Sequence, residues 1–167
     1  ELGAKVLRQA CIEAMSWPDD TSVSVNVSAI ELEAESFVDT VKAALAESGL
    51  PSHRLTIEVT ESVIMKDLQH SRNVLGQICD LGVEIAMDDF GTGYSSMSLM
   101  KHFPIDTIKI DRSFVRDLPQ DSEDQAIAQA IISMGKALGM TIVAEGVETS
   151  EQREFLRAHA CDEMQGF

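Results

Sequence analysis

Asn26, Glu58, Asp88, Asp89, Lys109 and Glu145 each stand near the point where a short β-branched run gives out. The runs are Val23–Val27, Leu55–Val59, Ile85–Asp89, Thr107–Ile110 and Ile142–Glu145, and each is bounded by helical or turn sequence. Polar side chains at the ends of successive buried strands predict a shared rim, where a parallel α/β barrel assembles its chemistry. Asn26, Glu58, Asp88 and Asp89 offer only oxygen donors, a set suited to Mg²⁺ or Mn²⁺, with Ca²⁺ as an inhibitory substitute. Zinc or copper would recruit His or Cys. His53, His70, His102 and His159 have no metal-ligand spacing and read as surface or cap residues.

Charge supports a cation. Two carboxylates ~4 Å apart repel by roughly 4 kcal/mol at an effective dielectric of ~20. Several such pairs at one rim would strain a marginally stable domain, and Lys109 can offset only one of them. Lys109 itself could pair with Asp106 or Asp111; the sharper reading has it orienting a water at the metal or neutralising a phosphoryl oxygen. The stretch Asp89-Phe90-Gly91-Thr92-Gly93-Tyr94-Ser95-Ser96 has the make-up of a mobile active-site loop. Its Asp-Phe-Gly is no kinase signature, because the Gly-rich nucleotide loop and the His-Arg-Asp loop are absent from the sequence.

The elements that must position these residues alternate between the two periods. Helices are expected at about 1–15, 33–48, 66–80, 95–101, 122–138 and 149–158. Strands are expected at about 22–28, 54–60, 83–88, 105–110 and 141–145, with 161–167 entering another. Gly49, Gly82 and Gly139 stand where helices should stop. Short loops between strands and helices imply parallel strands with right-handed crossovers. With no Gly-rich phosphate turn after the first strand, a closed barrel is favoured over an open doubly wound sheet.

The 167 residues form one expected domain, 1–167, short of the ~250 residues of a full eight-fold barrel. Both ends read as cut, so a longer parent chain is expected. Thirteen Lys and Arg against 28 Asp and Glu leave a net charge of −15, which argues against nucleic-acid polymers as partners. Three widely spaced cysteines read as reduced thiols of a cytoplasmic domain, and no apolar run approaches the ~20 residues of a membrane span. The parent could still carry a membrane anchor.

Val25-Asn26-Val27-Ser28, Ile57-Glu58-Val59-Thr60-Glu61-Ser62, Asp88 to Ser96, Lys109-Ile110-Asp111, Ala144-Glu145-Gly146-Val147-Glu148-Thr149 and Gln165-Gly166-Phe167 resemble, in order, the motif series of the EAL domain family. The resemblance covers essentially the whole chain. It implies a bacterial signalling enzyme on a modified (β/α)₈ TIM-type barrel, here incomplete, hydrolysing cyclic di-GMP to linear pGpG with two divalent ions, Mg²⁺ or Mn²⁺.

Carried over, the resemblance implies metal ligation by Asn26, Glu58, Asp88, Asp89 and Glu145, with Asp88 bridging two ions. Lys109 would contact the attacking water, and Glu61 would brace the Asp89–Ser96 loop. Glu148 would support the site, and Gln165 would lie near the substrate. A homodimer, and sensory or GGDEF-type domains in the parent chain, are implied as partners. The Glu-Ala-Leu signature is not in these residues, and the first strand and final barrel segment are expected outside them. A catalytically silent cyclic di-GMP receptor or dimerisation scaffold is the alternative from another class, and hydrolysis of a different phosphodiester is a third.

Overall fold

The computed structural model describes residues 2–92 and 102–166. Helices are α1 (Leu2–Ala14), α2 (Ala29–Leu32), α3 (Phe37–Ser48), α4 (Glu61–Lys66), α5 (Leu68–Asp80), α6 (Ser122–Ala137) and α7 (Ser150–Ala158). Strands are β1 (Val23–Asn26), β2 (Leu55–Thr60), β3 (Glu84–Phe90), β4 (Thr107–Ile110), β5 (Thr141–Val147) and β6 (Glu163–Gly166). The strands lie in one sheet in chain order, β1-β2-β3-β4-β5-β6. The fold class is α/β, as the strand–helix rhythm predicts.

The chain divides into two compact units, and β3 passes from one to the other. In the first unit β1 and β2 pair in parallel, with Val23 opposite Leu55 and Asn26 opposite Glu58. Leu55, Ile57 and Val59 of β2 are fully buried, and so are the alternate Thr56 and Glu58. Burial of successive residues marks a strand covered on both faces. Leu7, Cys11 and Ala14 give α1 its buried stripe, and Val41 and Ala44 do the same for α3. The buried Arg54 guanidinium donates to the carbonyls of Thr21 (2.8 Å), Ala14 (2.8 Å) and Pro18 (3.1 Å), tying the start of β2 to the α1–β1 connection.

In the second unit β4, β5 and β6 are parallel, with Ile110 opposite Ala144 and Glu145 opposite Gln165. Ile108, Ile110, Ile142 and Ala144 are buried, under Ala128, Ile131 and Ile132 from α6 and Leu156 from α7. Asp162 pairs with Lys136 and accepts from the Ile142 amide at 2.9 Å, so the start of β6 is bound to both β5 and the end of α6. The bond from Lys136 holds the Asp162 carboxyl below the ordinary range. Burial pushes the Cys161 thiol up to about 11, in keeping with a reduced structural cysteine.

Local chemistry moves several expected boundaries. The expected helix over 33–48 begins only at Phe37, as α3, and is preceded by a separate α2 that a capping box of Ser28 and Glu31 starts. The expected helix over 66–80 is likewise preceded by a separate α4. Asp67 breaks the two with an extended backbone (φ −146°, ψ 93°), and its carboxylate accepts from the His70 amide at 3.0 Å. β3 and β5 run two residues past their expected ends, while β1 and β4 are shorter than expected. The helix expected at about 95–101 lies outside the described residues, Lys101 and Phe167 included.

Candidate metal centre and adjoining cleft

The acidic residues do not terminate their strands. Glu58 has two strand residues beyond it, as does Glu145, while Asp88 and Asp89 precede Phe90 within β3. Lys109 is followed by Ile110. The strands continue because the next apolar residues, Val59, Phe90, Ile110 and Val147, are themselves buried. Only Asn26 ends a strand as the sequence suggests.

In the second unit Asp88, Asp89 and Glu145 each aim a carboxylate oxygen at one place, all within 4.8 Å of one another. Parallel register explains how Lys109 joins them. Lys109 stands opposite Val143, and Glu145 is two residues on, hence on the same face of the sheet. The Lys109 Nζ lies 2.6 Å from Glu145 Oε1 and 3.4 Å from Asp88 Oδ1. The ammonium is buried, whereas Asp88 and Glu145 are only partly covered, so the carboxylates face an open side.

Asp89 is exposed and turned by a left-handed backbone, φ 53°, uncommon for a residue other than glycine. That turn brings its amide to Asp88 Oδ1 at 3.1 Å and lets its carbonyl accept from Thr92 Oγ1 at 2.9 Å. Gly91 follows at φ 100°, where an added Cβ would also meet Phe114 Cε2 at 2.8 Å. Burial, the charges of Asp88 and Asp111 and a hydrogen bond to Asp111 push the Asp89 carboxyl up, and Lys109 only partly offsets them. Burial pushes Asp111 up as well, but bonds from Ser113, Asp89 and the Arg112 backbone outweigh it and leave that carboxyl low. The two neighbouring carboxyls are thus pushed in opposite directions, Asp89 up and Asp111 down. Crowding of like charges is what a bound cation would relieve. The donor set, all oxygen and no thiolate or imidazole, fits a hard divalent cation.

Beside this cluster lies a cleft of about 590 Å³ lined by Asp111, Arg112, Ser113, Arg116, Gly146 and Glu148. Gly146 shapes it. At φ 69° it interrupts the β5–β6 register, Glu145 facing Gln165 but Val147 facing Gly166. A Cβ there would stand 2.7 Å from Arg112 Cβ, so glycine permits both the bulge and the close approach. Glu148 therefore comes to the cleft wall, and Gln165 stands level with Glu145 on an exposed strand.

The remaining expected residues belong to the first unit. Asn26 and Glu58 are neighbours across β1 and β2, Asn26 exposed and Glu58 buried, and Glu61 is buried at the first turn of α4. Lys109 pairs with Asp88 and Glu145. Residues 93–96 of the expected loop lie outside the described residues. Sequence reasoning passed over Arg112, Arg116 and Gln152. Two cations three and seven residues beyond a site lysine in so acidic a chain, and the Thr-x-x-Gln box before α7, were the available signals.

The EAL domain family model matches residues 1–167. The bifunctional diguanylate cyclase/cyclic di-GMP phosphodiesterase MucR of Pseudomonas aeruginosa is 43% identical over 171 residues, covering 100% of this chain and 25% of MucR. The solved structure of the PaMucR phosphodiesterase in complex with c-di-GMP superimposes with a TM-score of 0.95 at 44% identity, covering 99% of this chain and 69% of that one. Klebsiella pneumoniae BlrP1, solved with manganese and cyclic di-GMP, gives a TM-score of 0.91 at 32% identity, covering 99% of this chain and 43% of its own. The chain spans about a fifth to a quarter of the curated relatives it matches. The chain matches these structures as the incomplete (β/α)₈ TIM-type barrel expected from the sequence. With a family model matched along every residue, the chain belongs to the EAL domain family.

Proposed function

We propose that this chain is the catalytic domain of a cyclic di-GMP phosphodiesterase that opens one phosphodiester to give linear pGpG. The observation that carries the reading is the convergence of Asp88, Asp89 and Glu145 oxygens within 4.8 Å around the buried Lys109 ammonium, in a family whose solved members hold cyclic di-GMP. Asn26, Glu58, Asp88, Asp89 and Glu145 would hold two Mg²⁺ or Mn²⁺ ions, which supply Lewis-acid charge at the phosphoryl group and lower the pKa of water. Asp88, 3.4 Å from Lys109, would be the ligand shared by the ions.

The chain's own residues do the rest. Lys109 Nζ fixes Glu145 and Asp88 and directs a remaining N–H toward the attacking water or the phosphoryl oxygen. Glu145 Oε1 accepts the proton of that water. Water adds to phosphorus as the P–O3′ bond breaks, leaving a 5′-phosphate and a free 3′-hydroxyl. Glu148 and Gln165 position substrate. Arg112 and Arg116 add cationic groups to the cleft wall in a chain of net charge −15. The reading treats residues 1–167 as one cytoplasmic domain acting as a homodimer, with regulatory domains elsewhere in the parent chain. Among the described residues no helix is long and apolar enough to cross a membrane.

The test is incubation of the full-length protein with cyclic di-GMP and Mg²⁺ or Mn²⁺, followed by chromatography. Metal-dependent pGpG that disappears in Glu58→Ala is expected, and Ca²⁺ should support binding without turnover. Binding without turnover in Mn²⁺ would replace the enzyme by a receptor.

A further inference from the structure

Gln152 is buried, 4% exposed, and its side-chain amide reaches three backbone groups. Its Oε1 accepts from the amides of Glu148 (2.7 Å) and Thr149 (2.9 Å), and its Nε2 donates to the Arg116 carbonyl at 2.9 Å. The bond to Thr149 belongs to a capping box that starts α7. A capping box is served equally by glutamate or glutamine, because only an acceptor is needed. The Arg116 carbonyl needs a donor, which an ionised carboxylate lacks. Capping leaves the choice of an amide unexplained, and the bond to Arg116 explains it.

That bond joins the two sides of the cleft. Arg112, Ser113 and Arg116 line one side, Gly146 and Glu148 the other. At one end the sides meet where Gly146 packs on Arg112. At the other they meet only through Gln152 among the hydrogen bonds of the described residues. The 3₁₀ turn Arg112–Phe114 is bonded within itself and capped by Asp111, and the Arg116 guanidinium pairs with Asp117, so the bond from Gln152 to the Arg116 carbonyl is what ties this turn to the opposite wall. We infer that Gln152 is a positioning residue that fixes the arginine wall of the cleft against the Glu148 wall, and thereby sets affinity for the anionic substrate. The inference rests on the reading of this cleft as the cyclic di-GMP site.

The experiment compares Gln152→Glu with Thr149→Ala in the full-length protein. Gln152→Glu keeps the acceptor for both amides and loses the donor to Arg116; Thr149→Ala weakens the same helix cap and leaves that donor in place. KM and kcat are measured in Mn²⁺, and the Kd of cyclic di-GMP by calorimetry in Ca²⁺. Loss of one buried hydrogen bond that acts through positioning should raise KM and Kd about fivefold in Gln152→Glu with kcat held within about twofold. Thr149→Ala should lower the Tm with KM unchanged. Equal KM in Gln152→Glu and wild type, or an equal rise in Thr149→Ala, overturns the inference. If the wild-type protein neither binds nor hydrolyses cyclic di-GMP, the functional reading fails, and hydrogen exchange then decides the clamp by itself. Faster exchange at residues 112–116 in Gln152→Glu upholds the clamp, and loosening confined to residues 150–158 overturns it.

Discussion

At the scale of single residues, charge crowding is concentrated on Asp89. Its raised carboxyl pKa means that the folded chain holds a proton which the unfolded chain has already lost. Without metal, stability should therefore fall as pH rises from the unfolded-state value, ~3.9, through the raised folded-state value, and the penalty is complete at neutral pH. Asp111 has the opposite sign: its lowered carboxyl contributes stability above the unfolded value that is lost only as pH falls through the folded one. Asparagine suits the left-handed backbone at position 89, so Asp89→Asn removes charge with little backbone cost. Thermal melts in EDTA at pH 7 should show the variant more stable than wild type, and the rise in Tm on adding Mn²⁺ should be largely lost. A variant melting below wild type in EDTA would mean that Asp89 is not under charge stress. Lys109 carries the complementary expectation. Its ammonium is buried against Glu145 and Asp88, so Lys109→Met leaves two carboxylates uncompensated. About 3 kcal/mol of metal-free stability should go, and kcat should fall at least about 100-fold. Urea melts and steady-state kinetics check the two separately.

Elements decide which of these residues meet. Parallel register alone puts Lys109 diagonally beside Glu145, and a single glycine bulge turns the following residues toward the cleft. Gly146→Ala forces a Cβ against Arg112 and keeps φ where non-glycine residues are strained. A loss of about 1–3 kcal/mol is expected, together with a drop in cyclic di-GMP affinity that measures displacement of Arg112. Chemical denaturation gives the first and calorimetry the second. Retained affinity in a folded variant would mean that the bulge shapes the backbone without shaping the site. The same scale explains the boundary differences: Asp67 was legible as a polar residue in a helical pattern, yet its preference for an N-cap outweighed the periodicity and moved the start of the helix to Leu68.

For the chain as a whole, the net charge of −15 should oppose approach of the proposed anionic substrate at long range, while Arg112, Arg116 and the proposed metals should attract it within the cleft. Screening shortens the long-range field to a Debye length of ~8 Å at 0.15 M salt, from ~30 Å at 0.01 M. With metal saturating, kcat/KM for cyclic di-GMP should therefore rise as NaCl is raised over this range, opposite to the fall seen with attractive steering. A falling profile would locate the dominant field in the cleft itself.

The alternation of helical and strand periods, the parallel strands and the oxygen-only character of the site were set by the order of residue types along the chain. Those properties depend on local periodicity and on donor chemistry, which each segment carries within itself. Family membership was legible for the same reason, since its motifs are short contiguous runs. Distances were not. Which carboxylates Lys109 would meet, the nearness of Asp89 to Asp111, the cleft between Arg112 and Glu148, and the reach of Gln152 to Arg116 were decided only by the tertiary structure. Each depends on the register and spacing of segments tens of residues apart, and no local pattern encodes how buried strands slide into place until their side chains pack.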